Sequence, residues 1–390
     1  MGEAKPADII LCFSYPRPSP GCQEIQMVGV SLTATRMVYD GSSSDGSAKT
    51  LRTPDTSLAV VLLPGLGANA LAFLPVFVAA VGAAANAAWV LAVTYATPFG
   101  PTLADTARQV WQALAAATSP ATAPALAGIT RVLLVGYSMG GMVAAHMVAG
   151  QPLNSSTARC PALAGVVYLS TGTPANDALP VPTGELMQAA MRGRGTPGGG
   201  PGGPGGPDGP DGPTAAAVRG SARLRTMFPG PWLRAAPRAT VLDMTAALAS
   251  GKVEPATRAA QLSTIALYLL GGGPGRFPAG SSSMGTVPAL VLHGAHDRIL
   301  KFSAAQKAAA ATPGATFVRF PHAGHGLPYQ DPEGVAAAVG AWWRQVGDNA
   351  AITGGTVSSN PAISTAFVPS GGAVLYLPPA LSSIVYCTDG

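Results

Sequence analysis

Arg131-Val-Leu-Leu-Val-Gly-Tyr-Ser-Met-Gly-Gly-Met-Val-Ala-Ala-His146 is the stretch that decides the fold. Residues 132–135 are apolar without a break, as in a strand buried on both faces. Gly136-Tyr137-Ser138-Met139-Gly140 then fits the pattern Gly-x-Ser-x-Gly. Small and apolar residues continue at helical spacing to Gly150. Strand, tight turn and helix form the context in which this pentapeptide presents a serine on a strained turn above a sheet. Glycine is needed at 136 and 140 because a Cβ would clash where strand and helix approach. The Ser138 hydroxyl is then exposed over a helix amino terminus. The free N–H groups there favour the negative charge of an acyl-transfer intermediate.

A serine hydroxyl is a poor nucleophile near neutral pH and needs a base. The chain has five histidines. His146 follows the elbow on the same predicted helix and precedes any candidate acid. The others form two pairs, His293/His296 and His322/His325. Val287-Pro-Ala-Leu-Val-Leu-His-Gly-Ala-His-Asp297 reads as a short apolar strand, a turn, and an aspartate at the strand's carboxyl end. Residues 315–320 read as the next strand, and Pro321-His-Ala-Gly-His325-Gly as the loop after it. A helix over 332–346 follows.

With these landmarks the chain resembles the α/β-hydrolase superfamily, in which a triad occurs in the chain order serine, acid, histidine. The resemblance runs from about residue 25 to residue 346. It implies Ser138 as nucleophile and His325 as base and then acid. It implies Asp297 as the carboxylate that orients His325 and stabilises its charged form. His322, nearer the strand end, is the rival base. Asp177, after the strand at 166–170, is the rival acid. The four paired histidines lie on loops with one acid nearby and no cysteine close in sequence, which argues against a metal centre. His293 is expected to cap its strand and His296 to line the site wall.

Ser57-Leu-Ala-Val-Val-Leu-Leu-Pro-Gly-Leu-Gly-Ala68 is a strand entering a glycine-containing loop. It resembles the family's His-Gly-x loop, with Pro64 where the family has histidine. The donors there are backbone groups, so the resemblance implies an oxyanion hole formed by the N–H groups of Leu66 and Met139.

Elsewhere, residues 25–39 alternate around Gly29 and read as an antiparallel hairpin. A helix from 71 to about 85, a strand from 88 to 95 and a helix over 103–117 follow. Strands alternating with helices predict an α/β fold: a mostly parallel sheet covered on both faces, with its site at the carboxyl ends of the strands. Residues 71–93 are apolar enough to imitate a membrane span, but Pro75, Gly82 and Asn86 interrupt them. The expected organisation is an extension at 1–24, core at 25–170, an inserted cap at 171–286, core again at 287–347, and a disordered tail at 348–390. Cap helices are expected at 224–228, 241–248 and 258–270. Residues 195–213 hold only Gly, Pro, Thr and Asp, with no apolar side chain to offset the entropy of ordering. They are expected to form a disordered loop. Residues 271–285 read as a second flexible connector.

The 390 residues are 48% hydrophobic and only 11% charged, which suits one large domain with an insertion. Seven arginines against two aspartates between Met191 and Arg238 account for the net charge of +5. That stretch reads as a solvated surface or an attractor for anionic substrates. No basic run interleaved with aromatics points to nucleic acid. Cys12, Cys22, Cys160 and Cys387 show no framework spacing, and the amino terminus has no apolar signal core. A reducing, cytoplasmic setting is the expectation. The activity implied is two-step hydrolysis of a carboxylic ester or thioester, with a small-molecule, hydrophobic acyl substrate and no cofactor. Acyl transfer to an alcohol, a lyase on the same fold, and a non-catalytic ligand receptor are the alternatives. The elbow also resembles that of succinyl-hydroxycyclohexadiene-carboxylate synthase, but Met142 stands where that family has arginine.

Overall fold

A computed structural model of the chain describes residues 23–27, 29–37, 53–150, 160–172, 222–269, 287–353 and 374–376. The Gly/Pro loop at 195–213, the connector at 271–285 and Asp177 lie outside the described residues, as do Cys12, Cys22 and Cys387.

The strands are β1 (Gln23–Met27), β2 (Val30–Arg36), β3 (Asp55–Leu63), β4 (Ala87–Tyr95), β5 (Arg131–Tyr137), β6 (Ala162–Leu169), β7 (Ala289–Gly294), β8 (Thr316–Phe320) and β9 (Val374–Tyr376). They form one sheet in the order β1-β2-β4-β3-β5-β6-β7-β8-β9. β3 to β8 are mutually parallel, while β1, β2 and β9 join at the two ends as antiparallel strands. The hairpin turns at Gly29, whose φ of +79° favours glycine.

Central strands alternate between two cores rather than between core and water. Ala59, Val61 and Leu63 of β3 face α2 (Leu103–Ala117), α3 (Met139–Ala149) and α8 (Phe302–Ala311). Leu58, Val60 and Leu62 face α1 (Pro75–Ala84) and α10 (Pro332–Thr353). This explains the unbroken apolar runs: both faces of a parallel sheet are covered. The fold is that of an α/β hydrolase, with helices inserted between β6 and β7. Four of these helices are described: α4 (Ala222–Met227), α5 (Gly230–Ala235), α6 (Arg238–Ser250) and α7 (Pro255–Leu269). A short α9 (Leu327–Gln330) precedes α10.

Three boundaries differ from the sequence reading. The helix expected from residue 71 is a 3-10 turn, Ala70–Ala72, followed by a break, and α1 starts only at Pro75. Leu74 is extended because a residue before proline is kept out of the helical region. α5 was not expected at all; its six residues are too short to show a periodicity. The closing helix runs past residue 346 to Thr353, and Val374–Tyr376 pair with β8. Residues 348–353 and 374–376 are therefore structured, unlike the wholly disordered tail expected. No helix of the described residues is long and apolar enough to cross a membrane.

Candidate active site

The elbow lies where β5 hands over to α3. Ser138 N donates to Leu169 O (3.0 Å), which extends the ladder with β6 to the turn itself. Ser138 then takes φ 53° and ψ −119°, a conformation that side chains rarely adopt. It stands at the N-cap of α3, yet its hydroxyl caps nothing. The strained turn aims the hydroxyl elsewhere. The two glycines behave as the steric reading requires. A Cβ on Gly136 would meet Gly140 O at 2.5 Å, and one on Gly140 would strike the carbonyls of Leu63 and Pro64.

The hydroxyl meets His325, whose Nε2 is 3.0 Å from Ser138 Oγ. On the far side of the imidazole, Nδ1 is 2.8 Å from Asp297 Oδ2. Asp297 Oδ1 accepts from the N–H groups of Ile299 and Leu300, both at 2.8 Å. Burial alone would raise this carboxyl. The His325 interaction, His293 and the Leu300 N–H outweigh it and hold it below its ordinary value of 3.8. The fold thus brings together Ser138, His325 and Asp297 from three separate loops at the carboxyl ends of β5, β8 and β7. The rival base, His322, is exposed, as is His296. His146 is buried on α3 with its ring 5.8 Å from Tyr268, in an edge contact.

His293 does not cap its strand. It is inside β7, fully buried, with Nε2 3.2 Å from Leu300 O and 3.4 Å from Asp297 Oδ2. The expectation failed because a turn from Gly294 to Asp297 folds the acid back over the strand. Three further contacts had no sequence signal, since each joins positions far apart in the chain. The Thr171 hydroxyl donates to Ser138 O (2.8 Å). Tyr137 packs on His325 with ring centroids 5.4 Å apart. Gln261 Oε1 accepts from Gly67 N (2.8 Å).

The loop after β3 runs beside the elbow. A Cβ on Gly65 would lie 3.2 Å from Ser138 Cβ, so this backbone passes directly against the serine. Ala68 N donates to Gly65 O (3.2 Å), closing a turn with Leu66 and Gly67 at its centre. The inserted helices close on the other side: Gly326 N donates to Met227 O (2.9 Å), and the edge of the Phe228 ring abuts Gly326.

Residues 60–338 match the model of the alpha/beta hydrolase family. Solved structures share the fold at low identity. An alpha/beta hydrolase fold protein from Chitinophaga pinensis aligns at TM-score 0.53 and 14% identity, over 82% of this chain and 96% of that one. A hydrolase from Pseudomonas aeruginosa aligns at TM-score 0.52 and 18% identity, over 83% and 98%. A thermophilic esterase from Thermogutta terrifontis aligns at TM-score 0.50 and 18% identity, over 83% and 99%. No curated protein sequence matches the chain.

Proposed function

Because the chain belongs to the alpha/beta hydrolase family, we propose that it hydrolyses a carboxylic ester or thioester through an acyl-enzyme on Ser138. The observation that carries this reading is the unbroken relay from Ser138 Oγ to His325 Nε2 and from His325 Nδ1 to Asp297 Oδ2. Ser138 Oγ attacks the carbonyl carbon while His325 Nε2 takes its proton. The positive imidazolium is held by Asp297, which stays ionised. Collapse of the tetrahedral intermediate expels the alcohol or thiol, protonated by His325. Water, deprotonated by the same nitrogen, then attacks the acyl-enzyme and releases the acid.

The developing oxyanion is taken by the N–H groups of Leu66 and Met139. The second belongs to the first residue of α3, where helical N–H groups have no partner within the helix. The inserted helices described at residues 222–269 act as a cap beside the site, and the acyl group taken is hydrophobic. The experiment is labelling of the purified full-length protein by a fluorophosphonate probe, beside turnover of a panel of p-nitrophenyl esters and acyl thioesters. Labelling and turnover that both vanish in Ser138→Ala support the reading. An unlabelled, inactive wild type overturns it.

A further inference from the structure

Gln261 lies on α7 of the inserted helices, 194 positions along the chain from the glycine it holds. Its side chain is fully buried and its Oε1 accepts the N–H of Gly67 at 2.8 Å. Gly67 is the third residue of the turn closed from Ala68 N to Gly65 O, and its φ is +69°. Leu66, the second residue, has no positive φ. This combination is a type II turn. Types I and II differ by a flip of the peptide between the two central residues, here Leu66–Gly67. The flip exchanges the directions of Leu66 C=O and Gly67 N–H. Gln261 accepts only from the orientation observed.

We propose that Gln261 is a positioning residue for the oxyanion hole, reaching from the inserted helices to lock the Leu66–Gly67 peptide. The inference rests on the acyl-transfer reading, in which Leu66 N–H is one of the two oxyanion donors. The locked peptide follows that donor directly, so its orientation sets both the ψ of Leu66 and the dipole beside the donor. Oxyanion stabilisation depends on dipoles fixed before charge develops, and a loop free to flip would lose that advantage. Two further observations agree. Among the described residues the buried Gln261 Nε2 has no hydrogen-bond partner, so the bond to Gly67 is what fixes this amide there. The same loop is tied to the insertion again: Asn69 N donates to Gly251 O (2.7 Å), and Ala68 bridges to Lys252. The inserted helices therefore complete the catalytic loop as well as covering it.

The test compares full-length wild type with Gln261→Met and Gln261→Asn. Met keeps the length and removes the acceptor. Asn keeps the amide and withdraws it by one methylene. The assays are p-nitrophenyl butyrate kinetics and inhibition by an alkyl trifluoromethyl ketone, whose carbonyl takes up the serine oxygen and leaves an oxyanion in the hole. Both variants should lose about 10-fold to 100-fold in kcat with KM nearly unchanged, and ketone affinity should fall in step with kcat/KM. A wild-type kcat in a folded variant overturns the proposal, as does a rise in KM at constant kcat, which would make Gln261 a pocket wall. Gln261→Asn stays polar and keeps the question open to decision if Gln261→Met does not fold. Failure of wild-type turnover would instead sink the underlying hydrolase reading.

Discussion

The imidazole of His293 lies against the carboxylate of Asp297, with Nε2 3.4 Å from Oδ2, the same oxygen that meets His325. Oδ1 is filled by two backbone N–H groups, so every side of this buried carboxylate is occupied. Burial holds the His293 imidazole below its ordinary value of 6.5, against the opposing pull of Asp297 and the Leu300 carbonyl. Two imidazoles thus share one carboxylate, and only one of them reaches the serine.

This arrangement has a consequence for stability against pH. His146 is likewise held low by burial. Below about 6.5 the unfolded chain protonates both imidazoles before the folded chain does, so the unfolded state binds more protons. Stability is full above that value and falls on acidification. Asp297 acts in a lower window: its contribution holds above 3.8 and disappears as pH falls through its depressed folded value. Denaturant melts at pH 7.5, 6.5 and 5.5 should show a steady loss, partly flattened in His146→Phe. A stability that rises between pH 7.5 and 5.5 would contradict the burial of these rings.

The two histidines of the β8 loop should separate cleanly. His325→Ala is expected to reduce kcat by about 10^4-fold or more, comparable with Ser138→Ala. His322→Ala, at an exposed position, should leave turnover within about two-fold, in the range of ordinary surface changes. The comparison is made with one ester at saturating concentration, and the reverse ranking would transfer the role of base to His322.

Asp297→Asn keeps an oxygen for the N–H groups of Ile299 and Leu300, so the turn should survive. The imidazole loses its anionic partner, and kcat should fall about 10^3-fold to 10^4-fold with the circular dichroism spectrum unchanged. Asp177→Asn should be close to wild type. If the change at 177 is the more damaging, the acid sits after β6 instead.

Gly326 follows His325 and abuts the Phe228 ring, where a Cβ would strike the ring edge. Gly326→Ala should destabilise by about 1–3 kcal/mol through overpacking. Phe228 is fully buried, and Phe228→Ala should cost about 3–5 kcal/mol by itself. The double variant should be more stable than the sum of the two losses predicts, because the clash has lost its partner. Strict additivity in urea melts would mean that the inserted helices do not rest on the histidine loop.

How much of this was legible beforehand depends on the distance over which each feature acts. The strand–turn–helix at residues 131–149 could be read directly, because a buried run, two obligatory glycines and a helix lie side by side. The parallel core was legible for the same reason. The start of α1 was misplaced by four residues, since the apolar run from 71 conceals the break that Pro75 imposes on Leu74. The role of His293 was misread because its partner arrives by a turn that a linear pattern does not show.

The local chemistry is written along the chain: a serine on a strained turn, loops bearing acids and histidines in a given order, and glycines where backbones must touch. These follow from sterics and periodicity within a few residues. The tertiary structure alone decided which histidine meets the serine and which carboxylate oxygen meets that histidine. It also decided that Thr171 and Gln261 grip the elbow and its neighbouring loop. Those are packing events between segments up to 194 positions apart, and nothing local in either segment encodes the partner. They exist only once the sheet has set the strand ends side by side and the inserted helices have closed over them.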